Sequence, residues 1–259
     1  MSTAIANVNE KIVDYPALAP DSRQARIMLS NLDGEQMTEL DLVKVTTPLG
    51  GTTTWNIGID GNVKSSEEIV GLLVAETKRG VLWPSLNPSD QRPIIVSNDL
   101  IVGYRVSDDI GSEIDPEVLE KFRIGDRRYD WAALSTSKAF GFGSSGAGKR
   151  VKETRVLAIL RPGESWPILV TVSPGSLRNW LPFRKRLPCF HYEAVVGLKL
   201  TRAKGASGQP YSQIVPRLVG VVTEEQGEMA RRTYTESLSQ MFSMPPSGAA
   251  SVFVDSIDE

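Results

Sequence analysis

Apolar and polar residues alternate in the run Tyr192-Glu-Ala-Val-Val-Gly-Leu-Lys-Leu-Thr201. This alternation has the period of a strand with one buried face. A second β-rich run covers about residues 211–222, where Pro216 indicates an edge position or a bulge. A small basic loop at residues 202–210 joins the two runs. The sequence therefore predicts a long two-stranded ribbon with a basic tip.

Further β-rich runs surround this ribbon. Residues 154–160 and 166–172 are joined by Arg161-Pro-Gly-Glu-Ser165, which predicts a hairpin. The β-branched and apolar runs within residues 41–59 and 92–106 predict additional strands. We therefore expect a β-rich α+β domain with antiparallel strands.

Cap signals predict the helices. A capping box at Ser65–Glu68 predicts a short helix that ends at Gly80, and Asp115-Pro116 predicts one or two helical turns. Ser173-Pro174 predicts a helix through Leu181, and the capping box at Thr223–Gln226 predicts the last helix. These helices would lie at the periphery of the strands.

Composition divides the chain of 259 residues into three parts. Residues 1–40 are polar and interrupted by proline, which indicates a loosely ordered N-terminal arm, and residues 41–243 form a single domain. We expect residues 244–259 to form a flexible linker and a disordered acidic tail. The residues of this tail that would contact a partner are Phe253, Asp255, Ile257, Asp258 and Glu259.

Rare residue types exclude several classes of site. The one cysteine, Cys189, excludes an internal disulfide, and the one histidine, His191, excludes most zinc sites. We predict no metal and no cofactor. The chain shows neither an export signal nor a run of roughly 20 apolar residues. We therefore expect a cytoplasmic protein without a membrane partner, in a bacterial host if the chain is encoded by a phage.

The net charge of −2 conceals a strongly basic middle. Residues 121–217 hold 18 Lys and Arg against 5 Asp and Glu, whereas residues 1–120 hold 9 against 19. Such asymmetry indicates a polyanionic partner, most simply nucleic acid. It leaves open whether the acidic and basic segments pair within one chain or between the copies of a homo-oligomer.

Aromatic residues are interleaved with these cations, a composition typical of surfaces that bind single-stranded nucleic acid. The glycine-rich stretch Gly141–Arg155 would form the flexible centre of such a surface. The residues predicted to contact phosphates are Lys149, Arg150, Lys152, Arg155, Arg178, Arg184, Lys185 and Arg186. The residues predicted to stack on bases, where exposed, are Trp131, Phe140, Phe142 and Trp180.

Two motifs suggest other chemistry. Gly143–Lys149 has the spacing of a phosphate-binding P-loop, but Arg150 stands where the magnesium-binding Ser or Thr belongs, and a strand is predicted to follow. Cys189 and His191 lack a third group to orient them for nucleophilic catalysis. We therefore predict no catalytic residue.

Four segments resemble a family of phage and mobile-element proteins associated with single-stranded DNA binding. They are Pro93-Ile-Ile-Val-Ser-Asn-Asp99, Ala139-Phe-Gly-Phe-Gly-Ser144, Gly148-Lys-Arg-Val-Lys-Glu-Thr-Arg-Val156 and Pro174-Gly-Ser-Leu-Arg178. The resemblance covers roughly residues 90–225 and implies an OB-like antiparallel β-barrel and a role in DNA replication or recombination. Relatives often have cysteines before the Phe-Gly motif, which this chain lacks, so no zinc is inferred. By the same resemblance, the acidic tail would dock on replication or recombination proteins.

The sequence thus predicts a protein that binds single-stranded DNA with little regard to sequence and performs no catalytic step. One alternative is a protein-interaction module, such as a phage structural or anti-defence protein, whose basic face meets an acidic partner. The other is a nucleotide-hydrolysing enzyme that uses the glycine loop.

Overall fold

The computed structural model describes residues 11–15, 23, 30, 42–48, 50–59, 62–85, 92–140, 149–205 and 208–243. Most of the predicted N-terminal arm, residues 141–148 with Phe142, and the predicted linker and tail at residues 244–259 lie outside this part of the chain. The partner-binding prediction for Phe253, Asp255, Ile257, Asp258 and Glu259 therefore stays a prediction.

The described residues form a strand-rich α+β structure. The strands are β1 (Lys44–Thr46), β2 (Trp55–Ile59), β3 (Asn62–Ser66), β4 (Glu68–Leu82), β5 (Ile95–Ser97), β6 (Val102–Arg105), β7 (Arg123–Gly125), β8 (Arg128–Asp130), β9 (Val151–Leu160), β10 (Ile168–Val172), β11 (Ala194–Lys204) and β12 (Pro210–Val221). The helices with described bounds are α1 (Pro116–Glu120), α2 (Trp131–Thr136), α3 (Pro174–Lys185), α4 (Glu224–Ala230) and α5 (Glu236–Ser243). A 3₁₀ turn (His191–Glu193) precedes β11, and a π-helical turn (Arg231–Thr235) joins α4 to α5.

The predicted hairpin and ribbon are confirmed. β9 and β10 pair antiparallel, and β11 and β12 pair antiparallel over their whole length, with an irregularity between Val195 and Val196. The predicted starts of α1, α3 and α4 are also confirmed, and Asp115 and Thr223 each accept a hydrogen bond from a backbone N–H of the helix they precede. Local patterning was sufficient for these elements because each carries its own turn or cap residues.

The helix predicted between Ser65 and Gly80 is wrong, because this segment covers the end of β3 and most of β4, the central strand of the main sheet. β4 pairs with β11 and β5 along one edge and with β9 along the other. At Gly71 an added Cβ would lie 2.4 Å from the carbonyl oxygen of Leu160 on β9. The β-branched residues and the close contact between β4 and β9 outweigh the capping-box signal. Tertiary context often overrides local propensity in this way.

The main sheet has ten strands and does not close into a barrel through the pairings among the described residues. Its order is β1, β10, β9, β4, β5, β6, β8, β7, with β11 on the other part of β4 and β12 on β11. β2 and β3 form a separate hairpin. The OB-like barrel implied by the family resemblance therefore stays a prediction.

Two hydrophobic cores lie on opposite faces of this sheet, as the alternation along β9 shows. Val156 and Ala158 enter the first core with the residues of α4 and α5, whereas Leu157 and Ile159 enter the second core with Trp180 of α3. A third core is built from β5, β8, α1 and α2 with the end of β4 and the start of β9. α3 is thus held on the face of the sheet that carries the second core.

Candidate nucleic-acid interface

The helix α3 carries much of the predicted interface and is fixed along the free edge of β12. The Ser176 hydroxyl accepts a hydrogen bond from the Ile214 N–H at 2.9 Å, and the Asn179 side chain donates to the Ile214 carbonyl at 2.9 Å. These bonds satisfy backbone groups that an edge strand would otherwise expose. Pro182 lies inside the helix, on its exposed side, without ending it.

At its carboxyl end, α3 is tied to the sheet through one carboxylate, that of Glu76 on β4. Glu76 accepts hydrogen bonds from Trp180 Nε1 and Arg184 Nε, each at 3.0 Å, and Arg155 Nε of β9 lies 3.4 Å from its Oε1. The Glu76 side chain is only 15% exposed. One acidic side chain thus holds together a helix and two strands.

Cations collect around this point. Lys78 lies two residues after Glu76 on β4 and pairs across the sheet with Arg155, so both share the face that carries Glu76. Lys185 and Arg186 follow Arg184 at the exposed end of α3. We call the group Lys78, Arg155, Arg184, Lys185 and Arg186 the α3-end basic surface.

The α3-end basic surface has more cations than carboxylates. The carboxylates on the same face of β4 and β9 are those of Glu76 and Glu153, which lies two residues before Arg155. Lys78, Lys185 and Arg186 are exposed and form no ion pair with a carboxylate of the described residues. Cations at the end of a helix also interact favourably with its dipole, worth about 0.3–1 kcal/mol each. The surface therefore keeps a positive potential toward solvent.

Part of the basic middle of the chain is neutralised by acidic residues of the first half. Carboxylates from residues 1–120 pair with arginines from residues 121–217 across the sheet. The pairs are Glu68–Arg217, Glu76–Arg155, Glu76–Arg184, Asp108–Arg127 and Glu113–Arg150. Part of the charge asymmetry in the sequence is thus resolved within a single chain.

The pair Glu68–Arg217 shows how the sheet makes this possible. Arg217 of β12 reaches across β11 and bonds both oxygens of Glu68 on β4, with Nε to Oε1 at 2.6 Å and Nη2 to Oε2 at 3.0 Å. Gly197 of β11 leaves the space, because an added Cβ there would lie 2.3 Å from Glu68 Oε1. The bond from Arg217 lowers the pKa of Glu68.

The predicted phosphate contacts in and after the glycine loop do not form one surface. Lys149 is exposed, whereas Arg150 binds Glu113 at 2.9 Å. Lys152 and Arg155 are three residues apart on β9 and therefore point to opposite faces. Burial lowers the pKa of Lys152. The predicted set is thus divided between the two faces of the sheet, and only Arg155 belongs to the α3-end basic surface.

Arg178 lies near the other end of α3. It is exposed, and its Nη2 donates to the Tyr211 hydroxyl at 2.8 Å. This bond holds the cation next to the ribbon formed by β11 and β12, where Arg202 and Lys204 are also exposed. Arg178 could therefore extend a basic path from the α3-end basic surface toward the ribbon.

The aromatic residues predicted to stack on bases do not have the required exposure. Trp131 and Trp180 are fully buried and Phe140 is 2% exposed. Trp131 and Phe140 belong to the third core, and Trp180 belongs to the second core. A ring inside a core cannot stack on a base unless the core opens, so the stacking prediction is wrong for these three residues. Phe142 lies outside the described residues.

The structure adds three residues that the sequence interpretation missed. Glu76 and Lys78 were missed because their segment was predicted to be a helix. The continuous apolar run before them is typical of a buried strand and could have corrected that prediction. Phe190 lies between α3 and β11 and is 64% exposed. No local pattern distinguishes such a ring from a core residue, because its exposure depends on how the chain turns after α3.

No protein-family model, curated protein or solved structure matches this chain. No helix in the described ranges is both long and apolar enough to cross a membrane. Within the same ranges, no group of three or more His, Cys, Asp and Glu side chains could hold a metal ion. The residues after Lys149 form β9, whereas a P-loop would begin a helix there.

His191 provides a direct test of the electrostatics beside the α3-end basic surface. Burial lowers its pKa, Arg184 lowers it further, and Glu76 acts in the opposite direction. We expect the only histidine of the chain to titrate below its ordinary value of 6.5 in an NMR titration. Because the unfolded chain then binds the proton first, the free energy of unfolding should fall as the pH drops below about 6.5.

A matched variant separates this contribution from the other titrating groups. His191→Gln should lose the part of the pH dependence that lies between the folded and unfolded pKa values of the histidine, measured by urea unfolding at about pH 7.5 and about pH 5.5. Arg184→Gln should raise the pKa of His191. A titration midpoint at or above 6.5 would contradict the arrangement described here.

Proposed function

We propose that this protein binds single-stranded DNA with little regard to sequence, and that the DNA phosphates contact the α3-end basic surface. The observation that carries the proposal is the exposure of Lys78, Lys185 and Arg186 beside Arg155 and Arg184. Phosphate contacts by such cations provide most of the affinity in binding that is independent of sequence.

The arrangement supports this function because two of the five cations are fixed in place beside the three exposed ones. Glu76 orients Arg155 and Arg184, and α3 is held along β12, so these two side chains and the helix backbone are already ordered when a strand binds. The proposal includes no catalytic step. It does not depend on a closed OB-like barrel, since the contacts come from one helix and the strands beneath it. A role in replication or recombination in a phage or mobile element rests on the sequence resemblance alone.

Fluorescence anisotropy of a labelled single strand, its duplex and its RNA counterpart, at several salt concentrations, tests the proposal. We expect salt-dependent binding that is tightest for the DNA single strand. The double variant Lys185→Glu with Arg186→Glu should weaken it at least about tenfold and reduce the salt slope by roughly 1.4, because each single-strand phosphate contact contributes about 0.7.

The matched control is Lys121→Glu with Arg128→Glu, which makes the same charge change at two exposed residues, one directly after α1 and one on β8. It should have a much smaller effect on affinity and slope. No binding to any of the three nucleic acids at low salt, or equal losses in the two double variants, would argue against the proposal.

A further inference from the structure

Phe190 is an exposed aromatic ring next to the α3-end basic surface. Its side chain is 64% exposed, and it follows the end of α3 by a few residues. Phe190 lies only four residues after Arg186, so at most about 14 Å of chain separates the two. The turn His191–Glu193, which begins at the next residue, packs against β4, the strand that carries Glu76 and Lys78. A nucleic-acid strand whose phosphates lie on Lys185 and Arg186 would therefore pass near this ring.

The turn after Phe190 holds the ring in a fixed position. The Phe190 N–H donates to Glu193 Oε2 at 3.0 Å, and the Glu193 N–H donates to the Phe190 carbonyl at 3.0 Å. The Phe190 ring is stacked on Tyr192, with a centroid distance of 5.3 Å and an interplanar angle of 6°. Tyr192 in turn packs against the first core. Because Tyr192 is half-buried and packed against this core, it orients the Phe190 ring before any ligand binds.

We infer that Phe190 stacks on an unpaired base of the bound strand. This inference rests on the proposed function and replaces the aromatic residues that the sequence had predicted for this role. An exposed ring beside cations is the combination that single-strand binding proteins use, since every base offers a flat face and stacking is tolerant of sequence. In a duplex the bases are already stacked and paired, so contact with Phe190 favours single strands.

The variant Phe190→Ala should lower the affinity for a labelled DNA single strand roughly 5- to 100-fold. The salt slope should remain unchanged, because no phosphate contact is lost, and the affinity for duplex should change little. Ile124→Ala, at an exposed apolar residue of β7, is the matched control and should have no effect. Phe190→Trp should keep the affinity, and its added fluorescence should be quenched by the single strand.

The outcomes separate this inference from the proposed function. If the wild-type protein binds no nucleic acid, both fail. If the wild type binds with the expected salt dependence and Phe190→Ala binds equally well, only the stacking role is overturned. A loss of self-association in Phe190→Ala with unchanged DNA affinity, measured by mass photometry, would assign the ring to a protein contact and likewise overturn the inference. Thermal unfolding of each variant confirms that it is folded.

Discussion

Replacing Trp131 with alanine is expected to lower the free energy of unfolding by about 3–5 kcal/mol, the range for truncating a large core aromatic residue. The indole is fully buried in the third core and lies against the backbones of Gly80 and Gly103. An added Cβ at Gly80 would lie 2.2 Å from Trp131 Cζ2. The two glycines thus make the space that the ring fills. Urea unfolding of wild type and variant measures the loss.

Two further variants test the cause of this effect. Trp131→Phe keeps most of the apolar ring and removes an indole N–H that has no hydrogen-bond acceptor among the described residues, so its cost should stay below about 2 kcal/mol. Gly80→Ala should destabilise the wild type by about 1–3 kcal/mol and the Trp131→Ala background much less, since the space is then empty. Additive losses in the double variant would contradict this packing.

The same residue distinguishes a core role from a DNA-binding role. If Trp131 only packs the third core, folded Trp131→Phe should bind single-stranded DNA with unchanged affinity and salt slope. A clear loss of affinity in this folded variant would mean that the ring reaches the DNA, contrary to its burial.

Removing the carboxylate of Glu76 should have the second large effect on stability. Glu76→Ala leaves Arg155 and Arg184 facing each other and takes an acceptor from Trp180. We expect a loss of about 3 kcal/mol, the lower end of the range for breaking a buried ion pair, because some exposure of these side chains remains. The measurement is again urea unfolding.

Glu76→Gln separates stability from binding. The glutamine can still accept the hydrogen bond from Trp180, but it removes the carboxylate charge from the centre of the α3-end basic surface. DNA affinity should therefore rise by about 1 kcal/mol, roughly fivefold, while stability falls. Glu113→Gln, which frees Arg150 elsewhere, is the control for charge alone. Unchanged affinity in Glu76→Gln would place the DNA contacts away from this surface.

Features that depend on neighbouring residues in the chain were predictable. The hairpin of β9 and β10, the ribbon of β11 and β12, and the start of α3 are each marked by alternation, turn residues or caps within a short segment. Lys185 and Arg186 were also found, because charged residues at the end of a helix remain exposed.

Features that depend on distant residues were not predictable. The segment after Ser65 is a strand because β9, β11 and β5 all pair with it, and these strands come from remote parts of the chain. Trp131 and Trp180 stand among basic residues in the sequence, as rings that bind DNA do. Only the packing of the second and third cores shows that the two rings are buried.

By itself, the sequence determined the β-rich composition, the turns and caps, and the position of the cations along the chain. Only the tertiary structure decided which of the described cations form ion pairs and which of the described aromatic rings is exposed. The reason is that β4 brings Glu68 and Glu76 of the acidic first half against arginines of the basic middle, so part of the charge separated along the sequence cancels across the sheet. Exposed cations without an ion pair among the described residues remain at the end of α3, with Phe190 a few residues further along the chain.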